Sequence, residues 1–482
     1  MPDTGSTSQN SGNRPPLARP ERLLAAQAFS RAAGAPLVAG NRLRLLRDAA
    51  GNYPAWLTAI RQAEHCIHFE NYIIDNDIIG REFIAALADR ARAGVRVRLL
   101  YDWMGCYFSR MHTLLRPLLD AGGEVRVFNP LRLDSPFGWL TRDHRKSLTV
   151  DGRIGYVTGL CVSQRWTGNP GKGIAPWRDT GLEVEGPAVA DIVAAFAQTW
   201  AQCGTPLPPE EIPLGDAIEA CGNMTLRVIA STPYTSGLYR LDQLIAAMAK
   251  ETLWLTDAYF VGTPVYTQAL CAASLDGVDV RLLVPSSSDI AMISPFSRAG
   301  YRQLLEAGVR VFEWNGTMIH AKTAVADGRW ARVGSTNLNV ASWISNYELD
   351  VAIEDEAFAD DMEAMYLDDL DNATEIVLSD KHQPRLRERR RRPRRGRGSS
   401  SGVATAMRLG NSVAAAVKQR VLGPVEAAVM LIMSIFLLAL GGIGLYWPRL
   451  LAIPIAISCC WLALCLLARA WRLRRTPLPH KE

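Results

Sequence analysis

The octapeptide His144-Arg145-Lys146-Ser147-Leu148-Thr149-Val150-Asp151 returns 176 residues later as His320-Ala321-Lys322-Thr323-Ala324-Val325-Ala326-Asp327. Each copy keeps a His, a Lys two places on and an Asp five places after that. A single copy reads most simply as a strand bearing a surface His and Lys, with an acid in the following turn. Two copies at matching places make coincidence the poorer explanation. Alternate residues of a strand point to the same side, so the spacing predicts that His144 and Lys146 share a face, as do His320 and Lys322. That residue set suits phosphoryl transfer. A neutral imidazole attacks phosphorus, a protonated one protonates the departing oxygen, and ammonium groups stabilise charge on the non-bridging oxygens. No metal or other cofactor is called for.

Outward from the two motifs, the surrounding chain repeats as well. Residues 66–73 read as a strand, Ile79, Phe83, Leu87 and Ala91 mark one face of a helix, and 94–100 form a second strand. The same order recurs as a strand over 252–260, a helix over 264–275 and a strand over 277–283. Val125-Arg126-Val127-Phe128 answers to Val309-Arg310-Val311-Phe312. Strands alternating with helices predict an α/β fold, and the echo predicts two tandem α-β-α units around a pseudo-twofold site. Pro206, Pro208, Pro209 and Pro213 mark a linker. The expected divisions are a first half over 21–205, a linker over 206–224 and a second half over 225–378.

The duplicated His-x-Lys-x4-Asp motif, with Gly334-Ser335-Thr336-Asn337 after its second copy, resembles the phospholipase D superfamily. Three further stretches narrow the resemblance to bacterial cardiolipin synthases: Ile67-His68-Phe69-Glu70-Asn71-Tyr72, Tyr101-Asp102-Trp103-Met104-Gly105 and Pro176-Trp177-Arg178-Asp179-Thr180-Gly181. The resemblance covers roughly residues 40–375. It implies that His144, Lys146, Asp151, His320, Lys322 and Asp327 form the catalytic set. Ser335 and Asn337 would help hold the phosphate, and Asp179 and Glu348 would orient the histidines. The motif aspartates, each followed by glycine, suit fixing a turn better than reacting. Cys161 stands where an Asn would match Asn337; a small packed residue is the preferred reading, a reactive thiol the alternative. His68 and Glu70 either line the site or face a second layer. The apolar stretch 133–140 is either core or a rim that admits a lipid.

Charge is distributed unevenly. Residues 381–482 hold 19 Lys/Arg against three acids, +16, which leaves −11 for residues 1–380 of a chain whose total is +5. An acidic body weakens a nucleic-acid reading. Nine widely spaced cysteines without a C-x-x-C pair suggest reduced thiols. Residues 1–20 are expected to be a disordered tail without a secretion signal. Residues 425–447 and 450–468 are apolar enough to be two transmembrane helices, joined by Trp447-Pro448-Arg449. The Arg-rich segment 379–424 before them and the basic tail 469–482 place both termini in the cytoplasm of a bacterial inner membrane; the run also favours anionic phospholipids. His65, His112, His382 and His480 read as surface histidines. The resemblance implies a cardiolipin synthase that joins two phosphatidylglycerol molecules through a phosphohistidine, releasing glycerol. A hydrolase of the same superfamily, a nuclease and a non-catalytic membrane scaffold are its rivals.

Overall fold

Each half lays down its strands in one repeating order. The first contributes β1 (Val38–Arg47), β2 (Cys66–Asn71), β3 (Arg96–Asp102), β4 (Glu124–Phe128), β5 (Ser147–Val150), β6 (Ile154–Thr158) and β7 (Thr180–Glu185). The second contributes β8 (Met224–Ser231), β9 (Thr252–Thr256), β10 (Asp279–Pro285), β11 (Arg310–Trp314), β12 (Thr323–Ala326), β13 (Trp330–Gly334) and β14 (Glu348–Ile353), followed by β15 (Ala373–Val377). A short β16 (Arg420–Val421) pairs with β15. The computed structural model describes residues 20–130, 140–233, 235–290, 293–378, 420–421 and 423–475. The expectations for the tail 1–19, most of the apolar stretch 133–140, most of the basic segment 379–424, the end of the chain from 476, His382 and His480 lie outside the described residues.

Among the described residues these strands form one sheet. Read outward from its middle, the first half runs β1-β7-β6-β5-β2-β3-β4 and the second β8-β14-β13-β12-β9-β10-β11. Every strand of one half thus has its counterpart seven places later in the other. The halves meet where β1 of the first pairs antiparallel with β8 of the second. β2, β3 and β4 are parallel to one another, as are β9, β10 and β11, which requires helical crossovers between them.

Those crossovers begin where the local chemistry supplies a cap. Asp77 accepts the N–H groups of Ile79 and Gly80 at the head of helix Ile78–Arg92. Thr263 accepts that of Tyr266, and Pro264 opens helix Pro264–Leu275. Phe83 and Leu87 are fully buried, as their spacing predicts. One outer layer packs each half separately, around Trp56 and Phe83 in the first and Leu270 and Tyr301 in the second. The opposite layer is shared: Val189, Ile192 and Val193 of helix Val189–Gln202 lie in one cluster with Phe358 and Met362 of helix Glu356–Asp371. The halves are therefore joined by apolar burial as well as by a strand ladder.

Three expectations are amended. His144 and Lys146 precede their strand, since β5 begins at Ser147; His320 and Lys322 likewise precede β12. The histidine N–H groups pair with the other half, whereas the carbonyls of Lys146 and Lys322 accept from Thr158 and Gly334 of their own half. The proline-rich connection carries Glu211, a buried carboxylate bonded bidentately to Arg98 and contacting His68, which ties it to the first half. Near the end of the chain, helices Gly423–Tyr446 and Pro448–Arg475 flank Trp447. Among the described residues no single helix is long and apolar enough to cross a membrane; the pair Ser434–Tyr446 and Pro448–Leu464, bent by 112°, meets that test only when taken together. Pro448, lacking an N–H, suits the break.

Candidate active site at the seam

Each motif histidine is delivered by a short extended segment that crosses the seam. The N–H of His144 donates to the carbonyl of Tyr347 (2.9 Å), and that of Tyr347 to Arg142 (2.8 Å). In the other half the N–H of His320 donates to the carbonyl of Arg178 (2.7 Å), and that of Arg178 to Met318 (2.9 Å). The residue after Tyr347 is Glu348, and the residue after Arg178 is Asp179. The backbone register therefore fixes the side-chain pairing. His144 Nδ1 lies 2.9 Å from a Glu348 oxygen, and His320 Nδ1 lies 2.8 Å from an Asp179 oxygen. Each imidazole of one half is held by a carboxylate of the other. An acceptor on Nδ1 fixes the ring and directs Nε2 outward.

The two carboxylates are supported differently. Glu348 accepts from Ser335 Oγ (2.6 Å) and Asn346 Nδ2 (3.2 Å). Ser335, expected to hold phosphate, supports the carboxylate instead, and its hydroxyl also accepts the N–H of Leu349. The first half has Gly159 at the matching place, and a Cβ there would lie 2.2 Å from Asp179 Oδ1. With no hydroxyl available, Asp179 accepts from Trp166 Nε1 and from the backbone N–H of Thr180, each at 2.8 Å. Asn337 is buried, and its side-chain oxygen has no partner among the described residues. Cys161 is also buried and burial raises its thiol pKa, as suits a packed residue and not a reactive thiolate.

Lys146 Nζ donates to the His144 carbonyl (2.6 Å) and stands 5.1 Å over the Tyr72 ring. Lys322 Nζ lies 2.9 Å from the His320 ring nitrogens and 5.7 Å over Tyr259. Tyr72 meets His144 edge-on at 4.9 Å, while Trp166, Trp177 and Tyr259 surround His320 at 5.3 to 5.8 Å. Burial pushes the His144 pKa down to about 4, opposed by Glu348 and aided by Lys146. His320 is lowered by burial and by the adjacent Lys322 ammonium. Burial likewise lowers Lys322. Although burial works to raise them, Asp179 and Glu348 end below the ordinary carboxylate range because their histidines and the lysines favour the anion.

The motif aspartates stand elsewhere. Asp151 accepts the N–H groups of Glu64, His65 and Cys66 at the start of β2, and Asp327 those of Lys250, Glu251 and Thr252 at the start of β9. Both adopt left-handed φ, +54° and +51°. His68 stacks on Phe196 at 4.9 Å, and Glu70 accepts from Ser147, so both belong to a second layer. His65 and His112 are exposed.

Residues not singled out from sequence complete the seam. Arg145, fully buried, donates to the carbonyls of Ala195, Ser231 and Glu348. Arg178 grips Asp369 bidentately at 2.9 Å. Arg145 carried a signal: between a His and a Lys that share one face, it must point the opposite way, into the interior. Trp166 had none beyond its size. No cluster of metal-ligating side chains occurs among the described residues.

Residues 56–200 and 242–370 match the family described as "Cardiolipin synthase, PLD-like domain". The chain is 34% identical over 360 residues to cardiolipin synthase A of Pseudomonas fluorescens (strain SBW25), covering 73% of each protein. It is 32% identical over 350 residues to the cardiolipin synthase of Alkalihalophilus pseudofirmus, covering 71% of this chain and 69% of that one. Among solved structures, the phosphatidylserine synthase of Haemophilus influenzae Rd KW20 superposes with a TM-score of 0.57 at 13% identity, over 72% of this chain and 91% of the other, a likeness of fold.

Proposed function

Since the chain belongs to the phospholipase D-like family of cardiolipin synthases, we propose that it acts as a cardiolipin synthase, transferring a phosphatidyl group from one phosphatidylglycerol to another. His144 Nε2 attacks the phosphorus of the first lipid while His320, protonated, gives its proton to the departing glycerol oxygen. A phosphohistidine on His144 and free glycerol result. His320, now neutral, takes the proton of a hydroxyl on the second lipid, whose oxygen attacks phosphorus and releases His144. Lys146, Lys322 and Asn337 bear on the phosphate oxygens. The anionic phosphodiester opposes the two ammonium groups and so returns proton affinity to His320 on binding.

The crossed histidine–carboxylate pairs, His144 with Glu348 and His320 with Asp179, carry this reading. They supply two separately oriented imidazoles at one seam, which a nucleophile and a general acid require. The family points to a membrane site of action. The apolar helices within 425–468 serve as a two-helix membrane anchor, and the flanking arginines keep both ends on the cytoplasmic side of the inner membrane.

Purified full-length protein, with His144→Ala and His320→Ala, tests the scheme on phosphatidylglycerol. Each variant is expected to make no cardiolipin. Rapid denaturation in detergent at alkaline pH during wild-type turnover with phosphorus-labelled lipid is expected to leave label on the peptide containing His144. Label on the His320 peptide reverses the two roles, and normal product from either variant removes the mechanism.

A further inference from the structure

We propose that the loop after β3, carrying Trp103, Met104, Tyr107 and Phe108, docks into the interface of a lipid bilayer so that the histidines open onto the membrane surface. The inference rests on the lipid-substrate reading above and concerns how that lipid is reached.

The loop is apolar where it faces out and fixed where it faces in. Phe108 is 92% exposed and Tyr107 58%. Tyr107 meets Trp103 and Phe108 edge-on, with centroids 5.1 and 4.9 Å apart. Beneath them, Asp102 accepts the N–H groups of Met104 and Gly105, and Ser109 donates to Asp75. Gly105 sits so close to the Tyr72 carbonyl that a Cβ would lie 2.0 Å from it. A backbone held this firmly cannot fold its aromatic side chains away, so they await a covering phase.

The loop is wired to the catalytic segment. Asp102 also accepts the N–H of Asp143, the residue before His144, and a guanidinium N–H of Arg142. Tyr72, against which the loop packs, is the ring that borders His144. In the second half Tyr259 borders His320 and donates its hydroxyl to Asp289, and the next residue along the chain, Ile290, is exposed.

A bilayer is the occupant the chemistry favours. Tyrosine and tryptophan combine an apolar ring with a polar tip and concentrate at the membrane–water boundary. The apolar helices of 425–468, proposed above as a membrane anchor, would bring the body to a membrane. A rim that enters the headgroup region orients the site toward the lipid.

The test uses the full chain reconstituted in phosphatidylcholine vesicles, wild type against the double variant Tyr107→Ser with Phe108→Ser. Phosphatidylglycerol is supplied either within the bilayer or as a short-chain form dissolved as monomers. The variant is expected to lose at least tenfold in rate on bilayer substrate, from the lost burial of two aromatic side chains, and to match the wild type on monomers. Equal loss on both substrates, or loss on neither, overturns the proposal. Wild-type self-association that the variant lacks, with equal bilayer rates, makes the rim a contact between copies and also overturns it. A second readout does not depend on turnover: brominated lipids are expected to quench wild-type fluorescence more than that of Trp103→Phe. If wild type makes no cardiolipin from either substrate while that difference persists, the catalytic reading fails and the docking stands; no difference overturns the docking.

Discussion

Replacing Asp327 separates a structural from a chemical role for the third residue of the motif. Its carboxylate accepts the N–H groups of Lys250 (2.9 Å), Glu251 (2.7 Å) and Thr252 (3.0 Å), the three donors that open β9. In Asp327→Ala the exposed Lys250 and Glu251 N–H groups regain water, whereas the half-buried N–H of Thr252 does so incompletely. At about 0.5–1.5 kcal/mol per bond, with the two exposed donors at the low end, the loss is about 2–3 kcal/mol. Alanine at φ +51° adds about 1 kcal/mol, because a Cβ without a compensating side-chain bond is unfavourable in the left-handed region. Together these lower the melting midpoint by roughly 5–10 °C. Asp327→Asn keeps one acceptor oxygen and tolerates that backbone, so about half the loss is expected. The assay pairs thermal melting in detergent with the initial rate of cardiolipin synthesis per folded molecule, taken well below the midpoint. Both variants are expected to keep a near-normal rate. An asparagine variant that melts like wild type yet loses several orders of magnitude in rate would show the carboxylate to be chemical and refute the reasoning.

Other expectations follow from the same geometry. Trp166→Phe removes the indole N–H that holds Asp179 at 2.8 Å; a hydrogen bond to a charged acceptor is worth about 1.5–3 kcal/mol. The rate constant kcat should fall by roughly ten- to a hundredfold with little change in KM, and a change confined to KM would contradict a positioning role. Stability should also depend on pH through His144. An unfolded histidine takes its proton near 6.5, whereas His144 in the fold does so only near 4. Between those values the unfolded state holds a proton that the native state lacks. The stabilisation is complete above about pH 6.5 and is lost as pH falls towards 4, amounting to about 3 kcal/mol for this group. Denaturant midpoints of wild type and His144→Gln should therefore differ less at pH 5 than at pH 7.5; parallel curves would contradict the shift. Glu348→Gln should leave the His144 ring held by a weaker, neutral acceptor and slow cardiolipin synthesis by more than tenfold without lowering the melting midpoint by more than a few degrees. A wild-type rate would sink the proposed pairing.

Much of this architecture is legible in local patterns. The helix over 264–275 has the bounds its apolar spacing and flanking Thr263-Pro264 imply, and the two motifs locate both imidazoles. The crossed pairing is a different kind of information. Nothing near His144 points to Glu348, 204 residues away; the match depends on a bridge of Asp143 with Tyr347 that exists only once the halves have met. The same holds for Ser335. The family resemblance implies a phosphate ligand there, yet the tertiary approach of Glu348 takes up its hydroxyl. Glu211 marks the same limit: four prolines make its segment read as a connector, and nothing in them shows that one buried carboxylate answering to Arg98 secures it.

The exchange of carboxylates across the seam has a further consequence for heredity and assembly. Neither unit owns a complete proton-handling pair, so a lone ancestor of this repeat could have worked only as a twofold dimer, and gene fusion would have preserved its arrangement while freeing each copy to drift. The hydroxyl beside one acid and the indole beside the other are two different supports for the same pairing. A chain cut between the units and expressed as two pieces would regain both pairs together on reassembly, or neither.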